Sequence, residues 1–246
     1  MQIHKKMPDN ETLEWSTHIV SIGDFGRDIA SHCIAREHRF RSFESLAFNT
    51  QDIDKMLLLL VIVDVEEPGA VDEIEHVIRW TADNNIRCIV FVKSKIPQKI
   101  DEKNIATFIP IANINHSQLV RFVCQLARMI EEQEPICIDI SDLNAVLMGS
   151  TLGLISIQLV NTLQKNYQFA VEEALQDFSK QNLPVDKISG LLVRVIAREH
   201  NSWVNYAGVE EALSAPAYTN FCQVICLGTD ANMQSDQLEL FVLAVG

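Results

Sequence analysis

Glycine is nowhere bunched in this chain of 246 residues: nine are present and no two are adjacent. Loops that cradle phosphate use several glycines, so that backbone N–H groups can approach the oxygens closely. No string of that kind exists here. Positive charge is scarce as well. Lysine and arginine total 20 against 33 aspartates and glutamates, a formal net charge of -13. This opposes non-specific binding to nucleic acid or to an anionic membrane, because both present negative surfaces. It leaves room for a protein partner with a basic patch. The six cysteines (Cys33, Cys88, Cys124, Cys137, Cys222, Cys226) form no CxxC pair. Most sit in apolar runs, where cysteine behaves as a small hydrophobe, and a reducing cytoplasm is the simplest setting. The histidines also lack metal-ligand spacing. His32-Cys33 with His38 is the nearest approach to a cluster, and it falls short of the close-knit ligands zinc requires, so no metal is expected. The longest apolar run, 56–63, is far too short to span a membrane. The polar opening MQIHKKMPDNETLEW has no signal-peptide core. A soluble, cytoplasmic protein is expected.

What is present is an ordinary globular balance, 48% apolar and 22% charged, with enough length to bury a core without disulfides or metals. Residues 1–17 read as a flexible or extended arm. HIVSI (18–22) reads as a buried strand that runs into Gly23-Asp24-Phe25-Gly26, with a helix from Arg27 to Glu37. FESLAF (43–48) is a second strand, ending in Asn49-Thr50, and LLLLVIVDV (57–65) a third. Its almost unbroken aliphatic character suits a strand covered on both faces. The turn Glu66-Glu67-Pro68-Gly69 precedes a helix over 70–84, where Val71, Ile74, Val77, Ile78 and Ala82 form one stripe. RCIVFV (87–92) and IATFIPI (105–111) are further strands, and the helix over 117–133 can be capped by His116 or Ser117. This alternation predicts an α/β, Rossmann-like domain over 18–115 with a parallel sheet, then a central connecting helix over 116–133. Residues 134–246 read as a smaller α+β domain: a short helix over 142–147, helices over 156–162 and 171–178, a strand at 190–197, a helix at 206–214, and strands at 221–227 and 238–245.

Three motifs bear on function. Gly23-Asp24-Phe25-Gly26 is a GxxG turn after a strand, but Asp24 would repel a phosphate and Phe25 is bulky. Glu66-Glu67-Pro68-Gly69 follows the central strand. In open α/β sheets ligands sit beyond the carboxyl ends of the strands, so this turn borders the expected crevice. Its glutamates would repel an anion, and Pro68 supplies no N–H. The plainer reading is that glutamates at a helix start complement the helix dipole. Asp139 and Asp142 stand with two residues between them at a helix entrance, where such a pair can hold a cation or position a water. Alternatively Asp142, or Ser141, caps the next helix, and spacing alone favours that.

The order of these pieces resembles bacterial FtsZ and its tubulin relatives. HIVSIGDFGRDIA resembles their first strand and glycine loop, and SLAFNTQDID the segment with the Asn-Thr pair, here Asn49-Thr50. Residues 57–92 resemble the strand, GTP signature loop, helix and strand that follow in the family. EPICIDISDLNAVLMG resembles the aspartate loop, with Asp139 and Asp142 on its two aspartates, and VICLGTDANMQSDQLELFVLAVG the family's ending. The departures fall on the nucleotide site. The hallmark GGGTGTG loop is replaced by Glu66-Glu67-Pro68-Gly69-Ala70, a second phosphate loop is missing between Asp54 and Leu57, His116 stands where the family reads guanine with an aspartate, and Cys137 replaces the aspartate loop's asparagine.

The resemblance implies an FtsZ-like fold whose GTP and GDP binding is absent or very weak, since carboxylates in place of N–H donors cost several kcal/mol. The expected function is non-catalytic, through protein–protein interaction with an FtsZ-type protein or with itself, in bacterial cell division. One form is filament capping by the aspartate-loop face of Cys137, Asp139 and Asp142. The alternative is a binding protein for a different small ligand or residual nucleotide. The family's flexible tail and adaptor peptide are not found before Gly246, which argues against recruitment to membranes through adaptors.

Overall fold

A computed structural model describes residues 16–37, 40–44, 56–94, 106–132, 134–164, 166–199 and 202–246. The expected N-terminal arm, Asn49-Thr50 and His38 lie outside the described residues, apart from 16 and 17 at the end of the arm.

The first sheet holds five parallel strands in the order β2-β1-β3-β4-β5: β1 (Thr17–Ile22), β2 (Arg41–Glu44), β3 (Leu58–Val63), β4 (Arg87–Val92) and β5 (Ala106–Pro110). Every residue of β1 and β3 is buried, as the aliphatic runs require of strands covered on both faces. The covers are α1 (Gly23–Arg36) and α3 (His116–Glu131) on one side and α2 (Ala70–Asp83) on the other. In α2, Ile74, Val77, Ile78 and Thr81 turn inward at helical spacing.

α3 is more deeply buried than an amphipathic surface helix, because it lies between two sheets. Phe122 contacts Phe91 of the first sheet and Phe241 of the second, with ring centroids 6.3 and 6.2 Å apart. Its cap is Asn115, whose side chain accepts from the Gln118 N–H, while Gln118 returns a bond to the Asn115 N–H. The expected caps, His116 and Ser117, instead form the first turn, because the reciprocal Asn–Gln box satisfies two orphan N–H groups at once.

The second sheet has the order β6-β9-β7-β8, from β6 (Gly153–Asn161), β7 (Gly190–Ala197), β8 (Cys222–Thr229) and β9 (Gln237–Val245). α4 (Ile140–Leu147) lies on its α3 side, and α5 (Tyr167–Lys180) and α6 (Ser202–Leu213) cover the far face. The helix expected over 156–162 is a strand. Residues 153–161 pair antiparallel with β9 over their whole length, Gly153 opposite Val245 through Asn161 opposite Gln237. That ladder, supplied by the last residues of the chain, outweighs local helical spacing in a segment rich in Ile, Leu and Val. Single bridges tie the two sheets to each other's surroundings: the Phe108 N–H donates to the Thr151 carbonyl at 2.8 Å and the Leu227 N–H to the Ile136 carbonyl at 3.0 Å. Among the described residues, no helix is long and apolar enough to cross a membrane.

Candidate functional site

A sheet ordered 2-1-3-4-5 reverses its winding between β1 and β3, and the crevice at that point is where such folds place ligands. The residues on its two sides are Gly23 to Gly26, at the carboxyl end of β1, and Asp64 to Gly69, at the carboxyl end of β3. The first segment is not a separate turn. Gly23 is already the first residue of α1, with φ +73°, so the free N–H groups of the helix face the crevice directly.

Two of those N–H groups are taken. The carboxylate of Glu67 spans them, accepting from the Asp24 N–H at 2.8 Å through Oε2 and from the Phe25 N–H at 3.1 Å through Oε1. An anion on a helix N-terminus is held by hydrogen bonds and by the helix dipole together. Glu67 therefore occupies the place that suits a phosphate and satisfies the same donors. Gly23 makes room for it: a Cβ there would lie well under 3.0 Å from the Glu67 carboxylate. The sequence suggests repulsion of an incoming anion; the fold adds a resident one. Exchanging Glu67 for alanine removes this cap and is expected to cost about 1 kcal/mol of stability, measurable as a lowered urea midpoint with an unchanged slope.

Behind Glu67 stands a second closed arrangement. Asp64 is buried and accepts from the Glu66 N–H at 3.1 Å and from Ser94 Oγ at 2.8 Å, while Lys93 Nζ lies 2.9 Å from its other oxygen. These partners, Lys93 foremost, hold the Asp64 carboxyl below its usual range. The Lys93 ammonium also sits 4.8 Å from the centroid of the Phe25 ring. The Lys93 cation at the end of β4 is thus engaged by Asp64 and by an aromatic face. Asp24 points outward to Arg27. Glu66 and Pro68 are exposed, and Gly69 takes φ +82° to open α2. Among these described residues nothing offers the glycine-lined cradle or free cation that a nucleoside triphosphate needs, and this set does not fit that group.

His116 does not face this pocket of N–H groups. It reaches across to α1, where its Nε2 lies 2.9 Å from Asp28 Oδ2. The structure thereby joins Asp28, His32 and His116, of which sequence reasoning singled out the two histidines in different contexts. Cys33 and His32, adjacent in sequence, diverge: Cys33 is buried against Cys124 and His32 is exposed. Asp64 and Lys93 were also missed. Both stand at the carboxyl ends of central strands, and a polar residue at the end of LLLLVIV is the signal that could have found Asp64.

The aspartate loop lies past the other end of α3, about 23 Å of helix away at 1.5 Å per residue. Asp139 and Asp142 form a reciprocal cap on α4. Asp139 Oδ1 accepts from the Ser141 and Asp142 N–H groups at 2.7 and 3.0 Å, and Asp142 Oδ2 accepts from the Asp139 N–H at 3.0 Å. The structural role expected for one of Asp142 or Ser141 belongs to Asp139, with Asp142 as its partner. Cys137 beside them is exposed.

No protein-family model matches the sequence, and no curated protein does. Solved structures do match over nearly the whole chain. A point-mutant FtsZ from M. jannaschii is 14% identical, with a TM-score of 0.69, covering 95% of this chain and 91% of that one. An empty FtsZ dimer from the same organism is 13% identical with a TM-score of 0.68, covering 96% and 89%. TubZ of Bacillus thuringiensis serovar israelensis, solved as GDP-form protofilaments, is 8% identical with a TM-score of 0.59, covering 94% and 85%. The chain has the FtsZ/tubulin fold.

Proposed function

We propose that this chain with the FtsZ/tubulin fold is a non-catalytic member of that group, which neither holds nor hydrolyses GTP and acts by binding other proteins. The observation that carries the reading is Glu67 seated on the N-terminus of α1, bonded to the Asp24 and Phe25 N–H groups. A triphosphate would have to displace that carboxylate and bind beside it. Like charges at contact distance in a partly buried site cost several kcal/mol, and among the described residues at the crevice no glycine string or free lysine is at hand to offset this.

A protein that has closed its nucleotide site keeps its surfaces. The matching FtsZ was solved as a dimer and the matching TubZ as protofilaments, so association between folds of this kind is the activity left to propose. The specific form is docking on an FtsZ-type filament of a dividing bacterium through the face that carries Cys137, Asp139 and Asp142. The closed crevice then accepts no further subunit, and the filament end is capped. Because Asp139 and Asp142 are held rigidly by their mutual cap, that face is preorganised for docking.

Co-sedimentation with GTP-assembled FtsZ tests this. The chain is expected to pellet with filaments and to shorten them at substoichiometric ratios, while GTP leaves its own melting temperature unchanged. A clear GTP-dependent rise in melting temperature would overturn the closed site. Absence of pelleting together with unchanged filament length would overturn capping.

A further inference from the structure

We infer that Asp28, His32 and His116 form a site for a divalent transition metal of the zinc type, clamping α1 to α3. Asp28 and His32 are four residues apart on α1, so both project from the same exposed face. His116 is the first residue of α3 and is brought to them by the packing of α3 against α1. One ligand atom from each of the three residues lies within 4.8 Å of the others. His116 Nε2 is 2.9 Å from Asp28 Oδ2, His32 Nδ1 is 3.7 Å from Asp28 Oδ1, and the two imidazole rings meet edge to face with centroids 4.6 Å apart.

Two imidazoles and a carboxylate are the donor set of zinc sites with three protein ligands, which keep a fourth position for water or a partner's side chain. Zinc bonds of about 2.0–2.2 Å to such ligands place neighbouring donors some 3.3 Å apart, so rotations of the exposed side chains, with His32 Nδ1 releasing its 2.8 Å contact with the Asp28 carbonyl, close the site without moving either helix. The hard oxygen cations, calcium and magnesium, prefer all-oxygen sets and are not suited to a pair of imidazoles. The chain's net charge of -13 favours cation capture in general. A bound ion would cross-link residues 88 positions apart, Asp28 and His116, beside the closed crevice. The inference stands on these three side chains alone, whether or not the crevice excludes nucleotide.

The test is zinc titration of the full, chelator-stripped chain against a chromogenic competitor, with cobalt(II) as a spectroscopic substitute. One zinc per chain is expected, with visible bands of four-coordinate cobalt. His32→Ala and His116→Ala are each expected to weaken binding by more than about tenfold, at least the loss that removing an outer-shell partner causes. Both positions are exposed, so the variants should keep the wild-type circular dichroism. A Cys137→Ser/Cys222→Ser variant, lacking both exposed thiols, should bind as the wild type does. Absence of stoichiometric zinc, zinc that persists in the His32→Ala/His116→Ala double variant, or zinc lost with the two cysteines overturns the assignment.

Discussion

Replacing Glu134 by leucine is expected to destabilise the fold by about 3–5 kcal/mol, because it strands the buried guanidinium of Arg194. Arg194 is 1% exposed, on a strand of the second sheet. One of its nitrogens donates to the Gln125 carbonyl on α3 at 2.9 Å, and another meets the Glu134 carboxylate. This side chain thus ties the central helix to the second sheet. Arginine cannot shed its charge, so loss of Glu134 leaves it uncompensated. Replacing Arg194 by methionine should cost less, since Glu134 can take up a proton instead. The double variant, Arg194→Met with Glu134→Leu, should approach wild-type stability, as apolar replacements of buried ion pairs do. Burial already pushes the Glu134 carboxyl up to about 7 against the opposing pull of Arg194, and among the described residues Arg194 Nε and Glu134 Oε2 have no hydrogen-bond partner. The sign with pH follows. Between about pH 4.5 and 7 the folded chain keeps a proton on Glu134 that the unfolded chain has released, and above 7 the carboxylate carries the charge that compensates Arg194. This contribution is therefore complete below 4.5 and is lost as pH rises through 7. Asp64 works in the opposite sense: its lowered value makes its contribution vanish as pH falls below 3.8. Urea unfolding at pH 5 and pH 8 should show the Glu134 slope in the wild type and not in the double variant. A single Glu134→Leu variant within 1 kcal/mol of wild type would refute the account.

The strands of the first sheet could be anticipated because their evidence is local. Runs such as LLLLVIV and RCIVFV have no other way to bury every side chain, and the turns between them carry their own signals. Misreadings arose where the deciding partner is distant in sequence. β6 is a strand because β9 supplies its ladder 76 residues or more later, Asn161 to Gln237 being the nearest pair. Glu67 was visible as a charge in the wrong place for a phosphate. Its bonds to N–H groups 42 and 43 positions earlier were not visible, because no pattern in either segment encodes them. Asp28 and His116 are further apart still. The aspartate loop shows the converse: a cap there was legible from spacing, since both partners lie within four residues, although it is Asp139 and not Asp142 or Ser141 that holds the cap position.

Gly26→Ala is expected to cost about 3 kcal/mol, at the upper end for overpacking, and Gly26→Val to prevent folding. A Cβ at Gly26 would lie well under 3.0 Å from the Ile62 carbonyl oxygen, with the Ser21 backbone 3.3 Å away. Those obstacles are backbone of β3 and β1, strands locked side by side in the parallel ladder, so α1 itself would have to lift off the sheet. Gly23 differs in kind. Its obstacle is the flexible Glu67 side chain, which can swing aside at the expense of the cap, and its φ of +73° adds roughly 1–2 kcal/mol for any other residue. A double-mutant cycle separates the two. Glu67→Ala should absorb part of the cost of Gly23→Ala, because the carboxylate it collides with is gone, and none of the cost of Gly26→Ala, because the Ile62 carbonyl remains. In dinucleotide-binding turns, one glycine serves ligand approach and another serves helix–sheet packing. Here the packing glycine still packs α1 onto β3, while the space that Gly23 leaves open is filled by the chain's own carboxylate. If Gly26→Ala unfolds within about 0.5 kcal/mol of wild type, the close approach of α1 to β3 is not a constraint. If Glu67→Ala rescues both glycine variants alike, the two positions do not have separate roles, and the closed crevice loses its structural basis.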